Sequence, residues 1–262
     1  MERTYINEVQ KEIGSTVKVQ GFIENLRNSK YMAFIVLKDI TGKLQITVEK
    51  EDHPELVDTI DKLTPDSVIT VTGKVMENDY VKMGGVEMIP ESIEVESTAN
   101  ALPIVRKEIA ATKKKKAVER SSIDQRIDYR WIDLRTDENQ LMFKAQSCFV
   151  NAMRKFLLDR NFIEIHTPKL IAAASESGSE VFKVDYFDRN AYLAQSPQFY
   201  KQMAMAAGFE RIFETGPVFR AEKSYTNKHA TEFSGFDLEF SYITSFKAVS
   251  YTHLTLPTTS RV

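Results

Sequence analysis

The chain has 262 residues, 42% hydrophobic and 27% charged, with a formal net charge of −2. That length suits one large domain or two ordinary ones, and the balance excludes a disordered or fibrous chain. A near-neutral total also excludes wholesale electrostatic capture of nucleic acid, so any such contact must come from local patches.

The opening "MERTYINEVQKEIG" is too charged for a secretory leader, and no apolar run approaches membrane-spanning length. The expected setting is therefore cytoplasmic, with no membrane partner. The single cysteine, Cys148, cannot form an internal disulfide and has no metal-type spacing around it. It falls in an apolar helical pattern and is expected to be a buried, inert thiol.

From Thr16 to Val95 the signals are β. The runs 16–23, 33–39, 44–49, 67–75 and 86–95 alternate or are rich in β-branched residues, and "DITGK" supplies a turn between the second and third. One helical segment, 54–63, opens at Pro54 between the third and fourth runs. Five strands with a helix in that slot is the order of an OB-fold barrel. Residues 1–100 are read as that barrel. Residues 101–136, which lack a sustained period and carry Lys113 to Lys116, are read as a linker or hinge.

After Gln140 the period changes. Met142, Ala145, Phe149, Met153 and Phe156 recur at three and four, the mark of an amphipathic helix. "NFIEIHTPKLI" follows as a strand running into Thr167-Pro168, and the polar loop 172–180 leads to β-like "VFKVDYF" and "AYLA". "SPQFYKQMAMAAG" reads as a helix capped by Ser196, with Pro197 in its first turn and Gly208 closing it. Gln198 and Lys201 share one of its faces.

The stretch from Gly216 to Phe240 carries the chemistry. It reads as two extended runs around a polar turn, and alternation sorts the side chains. Phe236, Leu238 and Phe240 share an apolar face; Phe233, Gly235, Asp237 and Glu239 share the other, with Arg220 and Glu222 on one side of the first run. The turn "KSYTNKH" can bring Lys223, Lys228 and His229 over that polar face. A guanidinium that forks onto phosphate, a cationic loop and a flat ring suit a nucleoside triphosphate. Ordinary ion pairs on a solvent-facing hairpin are the simpler alternative for Arg220 and Glu222 taken alone.

"FRAE", a polar loop with "KH", and "TEFSGFDLEF" together resemble motif 2 of the class II aminoacyl-tRNA synthetases. "NFIEIHTPKLI" is similar to their motif 1, and "YLAQSPQFYKQ" to the amino-acid segment of the aspartate subgroup. With the barrel in front, the order resembles the archaeal and eukaryotic aspartyl type from Met1 to about Lys247. The resemblance implies an α+β chain: a five-stranded OB-fold anticodon-binding barrel plus part of a class II antiparallel-sheet catalytic domain over 137–248. ATP and Mg²⁺ would be required. Partners would be L-aspartate, tRNA(Asp), alternatively also tRNA(Asn), and a second copy of the chain, through motif 1 around Pro168.

Roles follow residue by residue from that resemblance. Arg220 and Glu222 would be catalytic. Arg220, Ala221, Glu222, Lys228, His229, Ala230 and Phe233 would hold ATP. Ser175, Glu176, Gln198, Phe199, Tyr200, Lys201, Arg220 and Asp237 would hold aspartate, Lys201 answering its side-chain carboxylate and Asp237 its ammonium. Phe34, Gln45 and Glu87 would read the anticodon by stacking and edge contacts, although Phe34 as plain barrel core is equally compatible with the sequence. Glu24 and Met83 fall where the family tunes its tRNA choice.

Three departures from the family pattern stand out. Asn161 replaces a glycine, which Asn can do in a left-handed conformation. Ser177 replaces a loop glycine. Motif 3 is not found, and the Mg²⁺ carboxylate would fall with it, so no metal ligand is assigned; residues 249–262 read as a foreign tail and the chain alone is expected to be inactive. Asparaginyl-tRNA synthetase, a synthetase-like asparagine synthetase and a non-catalytic tRNA-binding module remain open as alternatives.

Overall fold

The computed structural model describes residues 1–108, 117–173, 181–223, 226 and 230–245. The expectations for Lys113–Lys116, Ser175, Glu176, Ser177, Lys228, His229 and the 249–262 tail lie outside the described residues. The chain divides into two compact units between Arg135 and Thr136.

In the first unit the five β runs become β1 (Thr16–Asn28), β2 (Met32–Lys38), β3 (Lys43–Glu49), β4 (Val68–Glu77) and β5 (Val86–Ser97). They close into a barrel in the order β1-β2-β3-β5-β4, with β3 and β5 the one parallel pair. The helical segment lies between β3 and β4, as a 3-10 turn (Pro54–Leu56) running into α1 (Val57–Lys62). Period-two alternation drives this closure. Val19, Ile23, Ile35, Leu37, Ile46, Val71 and Met88 point inward and are fully buried, while their neighbours face outward. At Gly73 the register between β4 and β5 shifts; a Cβ there would strike the Ile89 carbonyl oxygen and lie 2.7 Å from the Pro90 Cα. Only glycine admits that approach.

The "DITGK" turn forms around Asp39. One of its oxygens accepts from the backbone of Thr41 at 2.7 Å and Gly42 at 2.9 Å, and the other accepts from the Ile6 backbone at 2.9 Å. Burial pushes the Asp39 pKa up, but the hydrogen bonds from Thr41, Ile6 and Gly42 outweigh it and hold the carboxyl below its ordinary value.

Residues 101–136 contain more structure than a featureless linker. They form α2 (Ile123–Asp128), whose first turn is capped by the Ser122 hydroxyl, and α3 (Arg130–Asp133). The short lengths explain why no hydrophobic period announced them. Asp66 accepts from Arg106 at 2.6 Å and Arg135 at 3.1 Å, and so ties both ends of the segment to the barrel.

The second unit opens with α4 (Asp137–Leu158), capped by Thr136. It continues through β6 (Ile163–Glu164), β7 (Leu170–Ile171), β8 (Lys183–Tyr186), β9 (Arg189–Leu193), α5 (Gln198–Ala206), β10 (Arg211–Phe219) and β11 (Glu232–Phe240). One sheet runs β11-β10-β6, antiparallel except for β6, and a second runs β7-β9-β8. Phe213 stacks on Phe236 at 5.7 Å and Phe162 meets Phe240 edge-on at 6.0 Å. With Leu157 and Leu238 they make the core beneath the larger sheet. Asn161 takes φ +64°, the left-handed conformation that stands in for glycine.

One expectation for α4 needs correction, and a second observation qualifies its packing. Cys148 is exposed, not buried. The helix exists, yet Met142, Ala145 and Phe149 on its apolar stripe are exposed, and only its last turns pack on the core. Periodicity specifies a helix and its apolar side, but it does not supply the surface that covers that side. Among the described residues no helix is long and apolar enough to cross a membrane.

Candidate functional site

Register decides what β10 and β11 present together. Residues directly opposite in an antiparallel pair share a face. Val218 faces Phe233, Gly216 faces Gly235, Glu214 faces Asp237 and Ile212 faces Glu239. The apolar alternates, Phe213, Phe236, Leu238 and Phe240, go to the core on the other side. The polar floor expected from the sequence is therefore formed, and Phe233, Gly235, Asp237 and Glu239 lie along it.

At one end of the floor sits the Arg220 guanidinium, 5.4 Å from the centre of the Phe233 ring. That is within the range of a cation–π contact. The backbone N–H of Arg220 donates to Thr231 at 2.9 Å and holds the ends of the connecting loop together. Ala221 and Glu222 are half-buried beside it, and Ala230 is exposed on the returning side.

In the middle, Gly216 and Gly235 leave a gap. A Cβ on Gly235 would lie 3.0 Å from the Asp237 carboxylate, so the absence of side chains makes room for the charged groups beyond.

At the other end, α5 delivers Lys201. Although it belongs to a short helix, Lys201 is only 5% exposed. Its Nζ lies 3.2 Å from Asp237 Oδ1 and 3.5 Å from Glu239 Oε2. A buried ammonium is retained only with such partners. Gln198 begins the same helix, its N–H donating to the Ser196 hydroxyl at 3.3 Å. Phe199 is 61% exposed and Tyr200 half-buried, their rings edge-on at 6.0 Å. Arg220, Phe233, Lys201 and Asp237 thus share one floor.

Sequence reasoning missed a second ion pair there. Glu214, 3% exposed, accepts from Lys169 Nζ at 2.9 Å and from the Thr167 backbone and hydroxyl at 2.8 Å each. Burial pushes the Glu214 pKa up, but hydrogen bonds from Thr167 and Lys169 and the lysine charge hold it below its ordinary value. Glu239 stood on the polar face beside Asp237 in sequence, but nothing local announced that it would meet Lys201.

In the barrel, β2 and β3 place Phe34 across from Thr47, on the outward face and half-buried, not in the core. Gln45 Nε2 donates to Glu87 Oε2 at 3.3 Å and to Thr47 at 3.1 Å, and Asn78 donates to Glu87 Oε1 at 2.7 Å. The three residues expected to act together therefore cluster on one outer face. Glu24 is paired with Lys43 at 2.8 Å. Among the described residues no group of three or more His, Cys, Asp or Glu is placed to hold a metal ion.

Comparison with known proteins agrees with both halves. Residues 17–96 match the OB-fold nucleic acid binding domain, and residues 122–259 match the tRNA synthetases class II (D, K and N). The chain is 46% identical to an aspartate–tRNA(Asp/Asn) ligase of Methanopyrus kandleri, covering 88% of this chain and 52% of the relative. It is 44% identical to an aspartate–tRNA(Asp) ligase of Picrophilus torridus, covering 86% and 51%. Among solved structures, a putative aspartyl-tRNA synthetase from Leishmania major superposes with a TM-score of 0.83 at 31% identity, over 96% of this chain and 50% of that one. Asparaginyl-tRNA synthetase from Pyrococcus horikoshii, complexed with asparaginyl-adenylate, gives 0.81 at 31% identity, over 93% and 54%. The chain spans about half the length of the curated relatives it matches. With an OB barrel ahead of a β10–β11 floor that carries its charges in the expected register, the chain belongs to the class II tRNA synthetases of the D, K and N group.

Proposed function

We propose that this chain is part of an aspartate–tRNA ligase working in the cytoplasm. The observation that carries the reading is Lys201, a buried ammonium on the same floor as Arg220 and Phe233. Lys201 can donate a charge-assisted hydrogen bond to a ligand's side-chain carboxylate, which is stronger than one to a neutral amide. The names of the relatives point the same way.

In this reading Phe233 stacks on adenine, Arg220 contacts the α-phosphate, with Glu222 beside it, and Asp237 takes the α-ammonium of aspartate. The α-carboxylate of aspartate attacks the α-phosphorus, and pyrophosphate leaves. The chain's own contribution is to align the two anions and stabilise the charge that builds on the phosphoryl oxygens. A terminal ribose hydroxyl of tRNA then attacks the carbonyl of the mixed anhydride, and AMP leaves. Mg²⁺ would accompany ATP. Phe34, Gln45 and Glu87 would contact the anticodon of tRNA(Asp), with tRNA(Asn) as a second acceptor. The exposed stripe of α4, next to the motif 1 strand, supports a homodimer through that region.

Asparaginyl-tRNA synthetase is the second reading, favoured by the superposition with the Pyrococcus enzyme. The two separate in one assay. A protein carrying this chain at the length of its relatives is expected to catalyse ATP–pyrophosphate exchange with aspartate and not with asparagine. Exchange driven by asparagine alone rejects the aspartate assignment.

A further inference from the structure

The floor contains an electrostatic conflict. Glu214 and Asp237 are directly opposite each other on β10 and β11, and like charges in that relation repel. Each is answered by its own lysine: Asp237 by Lys201 at 3.2 Å, Glu214 by Lys169 at 2.9 Å. Both carboxylates lean the same way, over the glycine two residues away on their own strand: Gly216 after Glu214 and Gly235 before Asp237. A Cβ on Gly216 would lie 3.4 Å from Glu214 Oε1 and 3.6 Å from Lys169 Nζ, and one on Gly235 would lie 3.0 Å from Asp237 Oδ2. Two acidic groups therefore border the gap between the Arg220–Phe233 end and the Lys201 end, where the reacting anions must meet. Lys169 comes from outside this sheet, one residue after Pro168, and its Thr167 neighbour holds both Glu214 oxygens in place.

We propose that Lys169 is a positioning residue of this site, acting through Glu214. By cancelling the Glu214 charge beneath the Gly216–Gly235 gap, it makes the floor receptive to a phosphate or carboxylate ligand. The inference rests on the nucleotide-site reading given above and adds to it a second lysine, from the motif 1 segment, to which no ligand role was given. Without Lys169, a buried carboxylate is left uncompensated at the place where an anion has to lie, and the penalty falls on anions specifically. A neutral nucleoside that uses only the Phe233 ring does not feel it.

The test uses the 262-residue chain and compares ATP with adenosine by calorimetry or competition. Lys169→Met is expected to weaken ATP binding on the order of tenfold, the scale of one unit charge acting across several ångströms of partly solvated protein. Adenosine binding is expected to stay unchanged. Lys169→Arg, which keeps the charge, is expected to retain most of the ATP affinity. Adding Glu214→Gln to Lys169→Met is expected to recover ATP affinity, because the second change removes the charge that the first exposed. A packing defect would instead lower both ligands and would not be repaired by the second substitution; that result overturns the proposal. Unchanged ATP affinity in Lys169→Met overturns it too. If the wild-type chain binds neither ligand, the nucleotide-site reading falls with it, whereas wild-type binding with an indifferent Lys169→Met leaves that reading standing.

Discussion

Replacing Lys201 by Met probes how the floor is held together. The lysine side chain is 7% exposed, while its partners Asp237 and Glu239 are 35% and 29% exposed. At an effective dielectric of about 20, two charges 4 Å apart interact by about 4 kcal/mol. Most of that is offset by the desolvation of the buried ammonium. Met fills the volume of the lysine stem, so little packing is lost. What remains is the repulsion of two carboxylates, two residues apart on β11, which are solvated enough to rehydrate partly. The expected net loss is about 2 kcal/mol, or a drop in urea midpoint of about 1 M for a unit of this size. Equilibrium denaturation at neutral pH followed by far-ultraviolet circular dichroism measures it. Adding Glu239→Gln to Lys201→Met is expected to restore part of the loss, since one of the two unpaired charges is gone. An unchanged midpoint in Lys201→Met, or strict additivity in the double variant, would refute the claim that this lysine is held in place by the two acids.

Other consequences can be measured directly. Gly73→Ala forces a methyl group into the Ile89 carbonyl and the Pro90 backbone, and is expected to cost about 3 kcal/mol and to lower the midpoint of barrel unfolding; tolerance without loss would contradict the close approach. Phe213→Ala removes the ring stacked on Phe236 and is expected to destabilise the second unit by about 3–5 kcal/mol, with Phe213→Leu costing less. For Glu214 the folded pKa lies below the unfolded one, so its stabilisation is present above the unfolded value of about 4.3 and is lost as pH falls through the folded value. The stability gap between wild type and Glu214→Gln should therefore be full at neutral pH and shrink in acid; a gap that widened in acid would reverse the sign of the argument. In the barrel, Phe34→Ala and Glu87→Ala are expected to weaken filter binding of a tRNA(Asp) transcript while leaving binding of an anticodon-altered transcript little changed; equal losses on both would remove the anticodon role.

The sequence showed most where a short-range rule suffices. Alternation was enough to locate the five barrel strands, and enough to divide Phe236 from Asp237 on β11. Asn161 was legible because few residues adopt a positive φ, and Asn is one of them. What escaped were relations set by tertiary distance. Lys169 and Glu214 are separated by β7, β8, β9 and α5, and nothing local at either position announces the other. Lys201 was singled out through the resemblance, but its pairing with Asp237 and Glu239 was not legible at its own position. The apolar stripe around Phe149 and Cys148 failed for the opposite reason: its period was read correctly, but the described residues supply no surface that covers it. The short α2 and α3 carry too few turns for a period to emerge.

The identification of the floor as an adenine-nucleotide site is tested most directly by photolabelling. Irradiating the chain with an azido-ATP that carries its reactive group on the adenine ring should label peptides of β11 at or beside Phe233. Excess ATP should suppress the label, and Phe233→Ala should greatly reduce it. Label found instead in the barrel, or label on β11 that ATP does not compete away, would contradict the account.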